Sequence, residues 1–597
     1  MGLAISIRQH SSLEPIHLGD VDHHLSLYAD DVAIFMSQPQ QSIPILLDLI
    51  KSFGEVSGYT INWQKSEFMP LGDNHEAEFL HKLPFKVTDK LKYLGVTLPK
   101  DPKLIFKLNF HEKVEKLKGD IGKWRTLPLS MVGRINAIKM VSLARFLYLF
   151  QNLPIFLTKS FFKLLDSIIM PFIWGFKAHR ISKTHLQKPR EKGGFGLPCF
   201  QHYYWAANLR ALAFWGDGYN LEISTSTPAW VAIVKKDIKD SSLPALLFST
   251  PGLPNTKVKN RIIINCLKIW QQIKKCCKLP GTSIYAPVCH NHAFPPALSD
   301  ATFYSWRQKG IVVLKDLYID KHFASFTQLK DKFALPQTHF FRYLQVRNYV
   351  RQNLTKYESL PDENRIYSFW HGPPDSKCLI SNFVRVFSEQ VNYATHSLKK
   401  AWEEELGLQI DDMVWQEGLS RIQYCSINAR HHLIQFKVMH RLHYSKTKLH
   451  RIYPTVSPLC DRCKAADGSL THLFWTCPKL YVFWCGIFKW FSEMYNCVFK
   501  PEPEVALFGY SLSLLPQSIP VQHTIMYGML IAKRLILMLW KSETVPLFKT
   551  WLSELTSLLH MEKIRYNSLT NNLKKFYKIW QPFLDHLAQF DGDLEQL

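Results

Sequence analysis

Two short apolar runs, Leu25-Ser26-Leu27-Tyr28-Ala29 and Val32-Ala33-Ile34-Phe35-Met36, flank the acidic pair Asp30-Asp31. Apolar runs of this length, rich in β-formers, read as buried strands, and the polar pair between them reads as the tip of a hairpin. Ile43, Leu46, Leu47, Ile50 and Phe53 then recur at steps of three and four, which predicts an amphipathic helix with Ser42 as its N-cap, Pro44 in its first turn and Gly58 just past its end. Gly58 to Met69 is rich in turn formers and leads to a strand, and Lys92 to Leu98 predicts a further strand. Hairpin, helix, turn and strands in this order describe part of a small α+β layer.

From Phe110 the period changes to helical. Phe110, Val114, Leu117, Ile121 and Trp124 form one stripe, while Lys103, Lys107, Lys113, Lys116, Lys118 and Lys123 occupy the other face. Ser130 is placed to cap a second helix through Met131, Ile135, Ile138 and Val141, ending before Pro154. A basic run follows, with Lys177, His179, Arg180, Lys183, His185, Lys188, Arg190 and Lys192 opposed only by Glu191, then Gly193-Gly194-Phe195-Gly196. A phosphate-binding loop and a solvated loop both fit it. Residues 200–420 alternate helical patterns with loops punctuated by Pro251, Pro254, Pro280, Pro295 and Pro296, and no chemistry is legible there. The tail through Leu530 to Trp540 and on to Leu597 reads as a packed helical cap.

Charge sharpens the picture. Lys and Arg number 73 against 49 Asp and Glu, a formal +24, which favours a polyanionic partner. The most apolar stretch, Ile525 to Trp540, contains Lys533 and Arg534, so no membrane span is expected. Twelve cysteines in a chain of this size fit a reducing compartment rather than a disulfide framework.

Two constellations carry chemistry. Adjacent carboxylates on a rigid turn suit Mg²⁺, a hard cation that prefers oxygen ligands; the bland alternative is a solvated Asp-Asp turn. Asp22 cannot complete such a site from an extended strand: eight residues from Asp30, it stands some ~26 Å away, whereas paired ions lie about 4 Å apart. The second constellation is Cys460-x2-Cys463-x8-His472-x4-Cys477, a spacing suited to a closed, structural Zn²⁺ site. Buried thiols with a core histidine are the alternative. Arg430, His431, His432, Lys437, His440, Arg441, His443, Lys446, Lys448, His450 and Arg451 precede it, and Tyr481, Phe483 and Trp484 follow. Basic density beside aromatics suits RNA binding. Cys266, Cys276, Cys277 and Cys289 lack a spaced partner pair and read as structural.

Tyr28-Ala29-Asp30-Asp31, Ser57-Gly58-Tyr59 to Asn62, Lys65-Ser66 and Tyr93-Leu94-Gly95 together resemble consecutive palm motifs of a LINE-type, non-LTR retrotransposon reverse transcriptase, and the likeness runs through nearly all of the chain. The resemblance implies a partial palm over 1–100, a helical thumb with a basic loop over 101–192, a helical connecting region over 193–390 and a helical C-terminal domain over 391–597 containing the zinc-knuckle-like segment 460–477. It implies RNA and DNA as partners and a cytoplasmic and nuclear ribonucleoprotein. Asp30 would be the main Mg²⁺ ligand of this hairpin, Asp31 its partner, and Lys65 a proton donor to pyrophosphate. Tyr28, Tyr93 and Gly95 would contact the nucleic acid, with Tyr93 and Gly95 shaping the strand that grips the primer end. Lys113, Lys116, Lys123, Lys183, Lys188, Arg190 and Arg441 would contact the nucleic acid. The family's fingers and a further palm Asp would lie upstream of Met1. The expectation is therefore an N-terminally truncated polymerase, inactive alone, with a non-catalytic nucleic-acid-binding remnant as the alternative.

Overall fold

The computed structural model describes residues 2–18, 21–71, 77–216, 230, 233–234, 247–248, 260–279, 282–354, 356–361, 364–370, 378–390, 396–424, 426, 428–570 and 572–590. Pro251, Pro254 and Pro280 lie outside them, as do the last residues of the expected cap. The fold is mixed α+β, predominantly helical with short strands. Two compact units emerge, each built from separated segments: one from 1–122, 141–166 and 199–390, the other from 123–140, 167–198 and 391–597.

In the first unit the strands form two-stranded ladders. Ile16–Leu18 (β1) pairs with Val21–His23 (β2), Leu25–Tyr28 (β3) with Asp31–Ile34 (β4), and Glu67–Phe68 (β5) runs parallel to Lys86–Val87 (β6). Lys90–Tyr93 (β7) pairs with Val96–Pro99 (β8). The helix Pro39–Ser57 lies behind the first hairpins, and its Leu46 packs with Ile7 and Leu13, against which Leu25, Ile34 and Met36 rest. This helix begins four residues earlier than the pattern indicates, with Gln38 rather than Ser42 at the N-cap position. Pro39 takes the first helical position, where its missing N–H costs nothing, and Ser42 sits inside the helix, buried, rather than capping it. Gly58 closes it in the left-handed region at φ 73°, as expected.

The expected single strand over 92–98 is instead two strands. Leu94 and Gly95 both take positive φ, 47° and 77°, the geometry of a two-residue turn that reverses the chain between Tyr93 and Val96. A two-stranded ribbon is marginal alone. This one is tied down by Asn109, buried in the following helical turn. The Asn109 amide accepts from Thr97 N at 2.9 Å and donates to Thr97 O at 2.7 Å. Behind it, Phe110 packs between Phe150 and Phe161, and Val114, Leu117 and Ile121 continue the stripe read from the sequence. Tyr204 closes this core: its hydroxyl accepts from Leu157 N at 3.0 Å and donates to Ile155 O at 2.7 Å.

In the second unit Ser130 caps Met131–Ala137 as predicted, its hydroxyl accepting from Gly133 N at 3.0 Å. The helix Ile519–Met538 is buried along most of its length and is packed by the helices Ala429–Met439, Phe548–Thr570 and Leu573–Phe590. At Gly528 a Cβ would stand 2.5 Å from the Phe491 ring, so only glycine admits this approach. Trp551 Nε1 donates to Gly528 O at 2.9 Å across the same contact. Lys533, which interrupts the apolar run, is buried and donates to Leu507 O at 2.8 Å. No described helix is long and apolar enough to cross a membrane.

Asn109→Ala removes both bonds to Thr97 and leaves that backbone unsatisfied. We expect a loss of about 1–3 kcal/mol in denaturant unfolding of the first unit, with faster amide exchange at Thr97.

Candidate functional site

The β3–β4 hairpin presents Asp30 and Asp31 at its tip. Tyr28 pairs with Asp31, and Ala29 takes φ 50°, so Asp30 lies in the two-residue turn and Asp31 at the first position of β4. Both side chains are exposed. The strands are not buried as their apolar content suggests: Leu27 is 45%, Tyr28 66% and Val32 43% exposed. With only two strands in the ladder, Leu25 and Ile34 reach the helix while the distal half projects beyond it.

Hydrogen bonds tie this hairpin and the β7–β8 turn into one region. Ser26 Oγ and Tyr93 Oη lie 3.0 Å apart, joining β3 to β7. The Tyr148 hydroxyl, from the helix Ala144–Asn152, donates to Leu94 O at the apex of the turn, and a Cβ at Gly95 would contact the same ring. Ser26, Tyr148 and Asn109 were missed in the sequence. Each is an ordinary residue type in an ordinary pattern, with no spacing signal. Lys65 lies in an exposed turn where its N–H meets Asn62 O at 3.0 Å. Among the described residues, no ion pair joins Lys65 to Asp30 or Asp31, and no further acid, His or Cys completes a ligand group with those two aspartates.

The predicted phosphate contacts separate into two kinds. Lys116 and Lys123 are exposed on the helix Glu112–Trp124, while Lys113 is paired with Glu112 at 3.2 Å. Lys183 begins a short helix, half-buried, and Arg190 Nη2 points to Asn136 Oδ1 at 3.5 Å. Lys188, by contrast, is fully buried, and burial pushes its ammonium down to about 8, so it is not a surface phosphate contact. Arg441 is likewise committed: its guanidinium pairs with Glu405 and lies 4.5 Å from the Trp402 ring centroid. Three of the histidines before the cysteine cluster add no positive charge to it. Burial holds His431 and His440 down to about 4 and His443 down to about 3, so all three are neutral at pH 7. His440 meets Gly193 O at 3.0 Å, which explains a histidine in the interior.

The spaced cysteine motif folds into one cluster. The ligand atoms of Cys460, Cys463, His472 and Cys477 all lie within 4.8 Å of one another, with Cys463 Sγ 3.3 Å from His472 Nε2. Cys460 and Cys463 share a tight turn in which Lys464 N bonds Cys460 O and Lys464 takes φ 57°. A tetrahedral Zn²⁺ with sulfur bonds of about 2.3 Å has ligand–ligand edges near 3.7 Å, so small side-chain movements would close this set on an ion. The electrostatics favour two of the four ligands, Cys463 and His472, whereas burial raises the Cys477 thiol, which would lose its proton only to an arriving ion. Burial opposes a Cys463 thiolate, but the N–H groups of Ala465 and Ala466 and the neighbouring thiols outweigh it and hold that thiol below its usual range. Burial and then Arg462 keep His472 neutral, the form that ligates. Arg462 is 5% exposed, donates to Leu473 O at 2.8 Å and leaves Nη1 buried without a hydrogen-bond partner. Three thiolates, a neutral imidazole and Zn²⁺ carry a net single negative charge, which Arg462 would balance. Glu405 supports the second half of the cluster, accepting from Thr471 Oγ1 at 2.5 Å, next to His472.

For the cysteine cluster we expect about one Zn²⁺ per chain by elemental analysis, lost in Cys460→Ser/Cys463→Ser, and a chelator should lower the melting temperature of the second unit. A folded preparation without zinc would remove the site.

The buried histidines set a pH response. Unfolded histidines take up protons near pH 6.5, whereas His431 and His440 in the fold resist until about 4. Between these values the unfolded state binds more protons. Stability therefore falls as pH falls below about 6.5, by at most about 1.4 kcal/mol per pH unit per histidine, and is flat above. Thermal melts from pH 7.5 to 4.5 should show this slope, reduced in His440→Gln.

The region around the acidic hairpin has a known counterpart. Residues 4–98, from the first helix through the β7–β8 hairpin, match the family model described as Reverse transcriptase (RNA-dependent DNA polymerase).

Proposed function

We propose that the first unit carries part of the palm of a LINE-type RNA-directed DNA polymerase, with Asp30 and Asp31 as its carboxylate pair. The observation that carries this reading is the bond between Ser26 and Tyr93, which sets the acidic hairpin beside the Leu94–Gly95 turn. A polymerase needs that pairing, with carboxylates facing the reacting phosphates and a second hairpin bearing on the primer end. Asp30 and Asp31 offer hard oxygen ligands suited to Mg²⁺, which, when bound, supplies activation of a primer hydroxyl and neutralises charge on the phosphates. The chain's own contribution is positional. The left-handed Ala29 turn aims the carboxylates outward, and Tyr148 fixes the neighbouring turn. Lys65, exposed on its turn, would donate a proton to the leaving pyrophosphate when substrate draws it in. Exposed Lys116 and Lys123 would neutralise backbone phosphates of the template and primer.

A second reading, a nucleic-acid-binding protein without chemistry, is favoured by one observation: among the described residues, no third carboxylate joins Asp30 and Asp31. The chain by itself should therefore extend primers weakly at best.

Two measurements separate the readings. Iron(II) exchanged for Mg²⁺ should direct hydroxyl-radical cleavage of the backbone near residues 28–32 and near Tyr93, abolished in Asp30→Asn/Asp31→Asn. Cleavage elsewhere, or cleavage that survives the substitutions, would end the palm reading. RNA-templated primer extension with Mg²⁺ should give a trace of product that vanishes in Asp30→Asn, whereas salt-sensitive RNA binding with no extension at all supports the second reading.

A further inference from the structure

The second unit holds a group of cations that the fold does not neutralise. Arg180 lies 4.1 Å from the centroid of the Tyr444 ring, and Lys448 Nζ lies 5.8 Å from the same centroid. Lys437 completes the group, with Arg180 and Lys177 both acting on it. Arg180 and Lys177 are exposed, while Tyr444, Lys437 and Lys448 are half-buried. Two carboxylates of this unit are engaged by other cations: Glu405 holds Arg441, and Asp461 holds Lys446 at 3.0 Å. Among the described residues, no carboxylate pairs with Arg180, Lys437 or Lys448.

Like charges partly withdrawn from water and pressed together raise the energy of the fold. The ammonium groups register this. Burial lowers Lys437, and the charges of Arg180 and Lys177 lower it further; burial lowers Lys448, and Arg180 and Arg441 add to the effect. His443 beneath them is depressed by burial and then by Lys437, Arg180 and Lys448. An anion arriving between these groups would relieve the repulsion. The Arg180 guanidinium, held against the Tyr444 ring, offers several N–H donors to a phosphate, and the two flexible lysines can adjust to it.

We propose that Arg180, Lys437 and Lys448, gathered around Tyr444, form a cradle for the phosphodiester backbone of a single nucleic-acid strand. The inference deepens the nucleic-acid reading above and rests on it. It replaces Lys188 and Arg441 as the phosphate contacts of this unit with residues whose charge is available. A strand fits better than a compact anion, because exposed Lys177 carries the positive charge beyond the ring on which Arg180 and Lys448 meet.

The test uses the full chain and a fluorescein-labelled 20-nucleotide oligouridylate, with affinity measured across a salt series. Neutralising three phosphate contacts removes about 0.7 per contact from the single-strand slope of log K against log salt. The triple variant Arg180→Gln/Lys437→Gln/Lys448→Gln should therefore lose about two from that slope and bind about tenfold more weakly at low salt. Its melting temperature should hold or rise, since like-charge repulsion has been removed. Charge reversal at a single position, Lys448→Glu, should weaken binding in the same direction and serves if the triple variant does not fold. An unchanged slope overturns the cradle, as does a falling melting temperature with RNA binding intact. Loss of binding to phosphatidylserine vesicles without loss of RNA binding also overturns it. Iron-directed cleavage at the Asp30 hairpin is read independently, so failure here leaves the palm reading standing.

Discussion

The side-chain amide of Asn109, bonded at both ends to the backbone of Thr97, is the contact on which the β7–β8 ribbon depends. Two strands alone bury too little to hold a position. The first unit contains four such ribbons near its beginning, with no broad sheet to unite them among the described residues. Order comes instead from single polar side chains that act as rivets. Asn109 holds β8, Tyr148 holds the turn at Leu94, and Ser26 meets Tyr93 across the gap between hairpins. Each rivet satisfies a backbone or side-chain group that would otherwise compete with water. The acidic tip inherits its orientation from this arrangement, because β3 is the strand that carries both Ser26 and, two residues on, Tyr28.

The second unit is organised on the opposite logic. Its central helix is buried almost all round, and polar groups enter the interior only with a fixed partner, as Lys533 does with Leu507 and His440 with Gly193. That economy explains why so many basic residues near the cysteine cluster prove to be structural. A histidine or lysine that is hydrogen-bonded and dry contributes shape rather than charge. The remaining free charge is concentrated in a few places, and those places gain significance from the neutrality around them.

Much of the architecture was visible in the sequence because it rests on period and on turn chemistry. The stripe from Phe110 to Ile121, the Ser130 cap, the Gly58 terminus and the Asp30 turn all follow from local rules. So does the cysteine cluster, whose spacing suggested that the four ligand atoms meet, as they do. The errors have a common origin. Ser42 looked like a cap because the apolar period begins beside it, yet Pro39 starts the helix earlier. Lys92 to Leu98 looked like one strand because nothing in composition marks a non-glycine residue, Leu94, in the left-handed region. Lys188, Arg441 and the three histidines looked solvated because burial of a charged residue depends on tertiary partners far away in sequence, such as Glu405 for Arg441. Asn109 and Tyr148 were silent for the same reason.

Glu405 is the carboxylate shared between two otherwise separate features. One oxygen holds Arg441 and the other holds Thr471, immediately before His472. The helix His396–Leu406 and the cysteine–histidine cluster therefore belong to one mechanical circuit. Tightening the cluster around an ion would stiffen that helix from a distance, and fraying the helix would loosen one ligand without touching the other three. Affinity for an ion at the cluster and order in the helix would then be two faces of a single equilibrium.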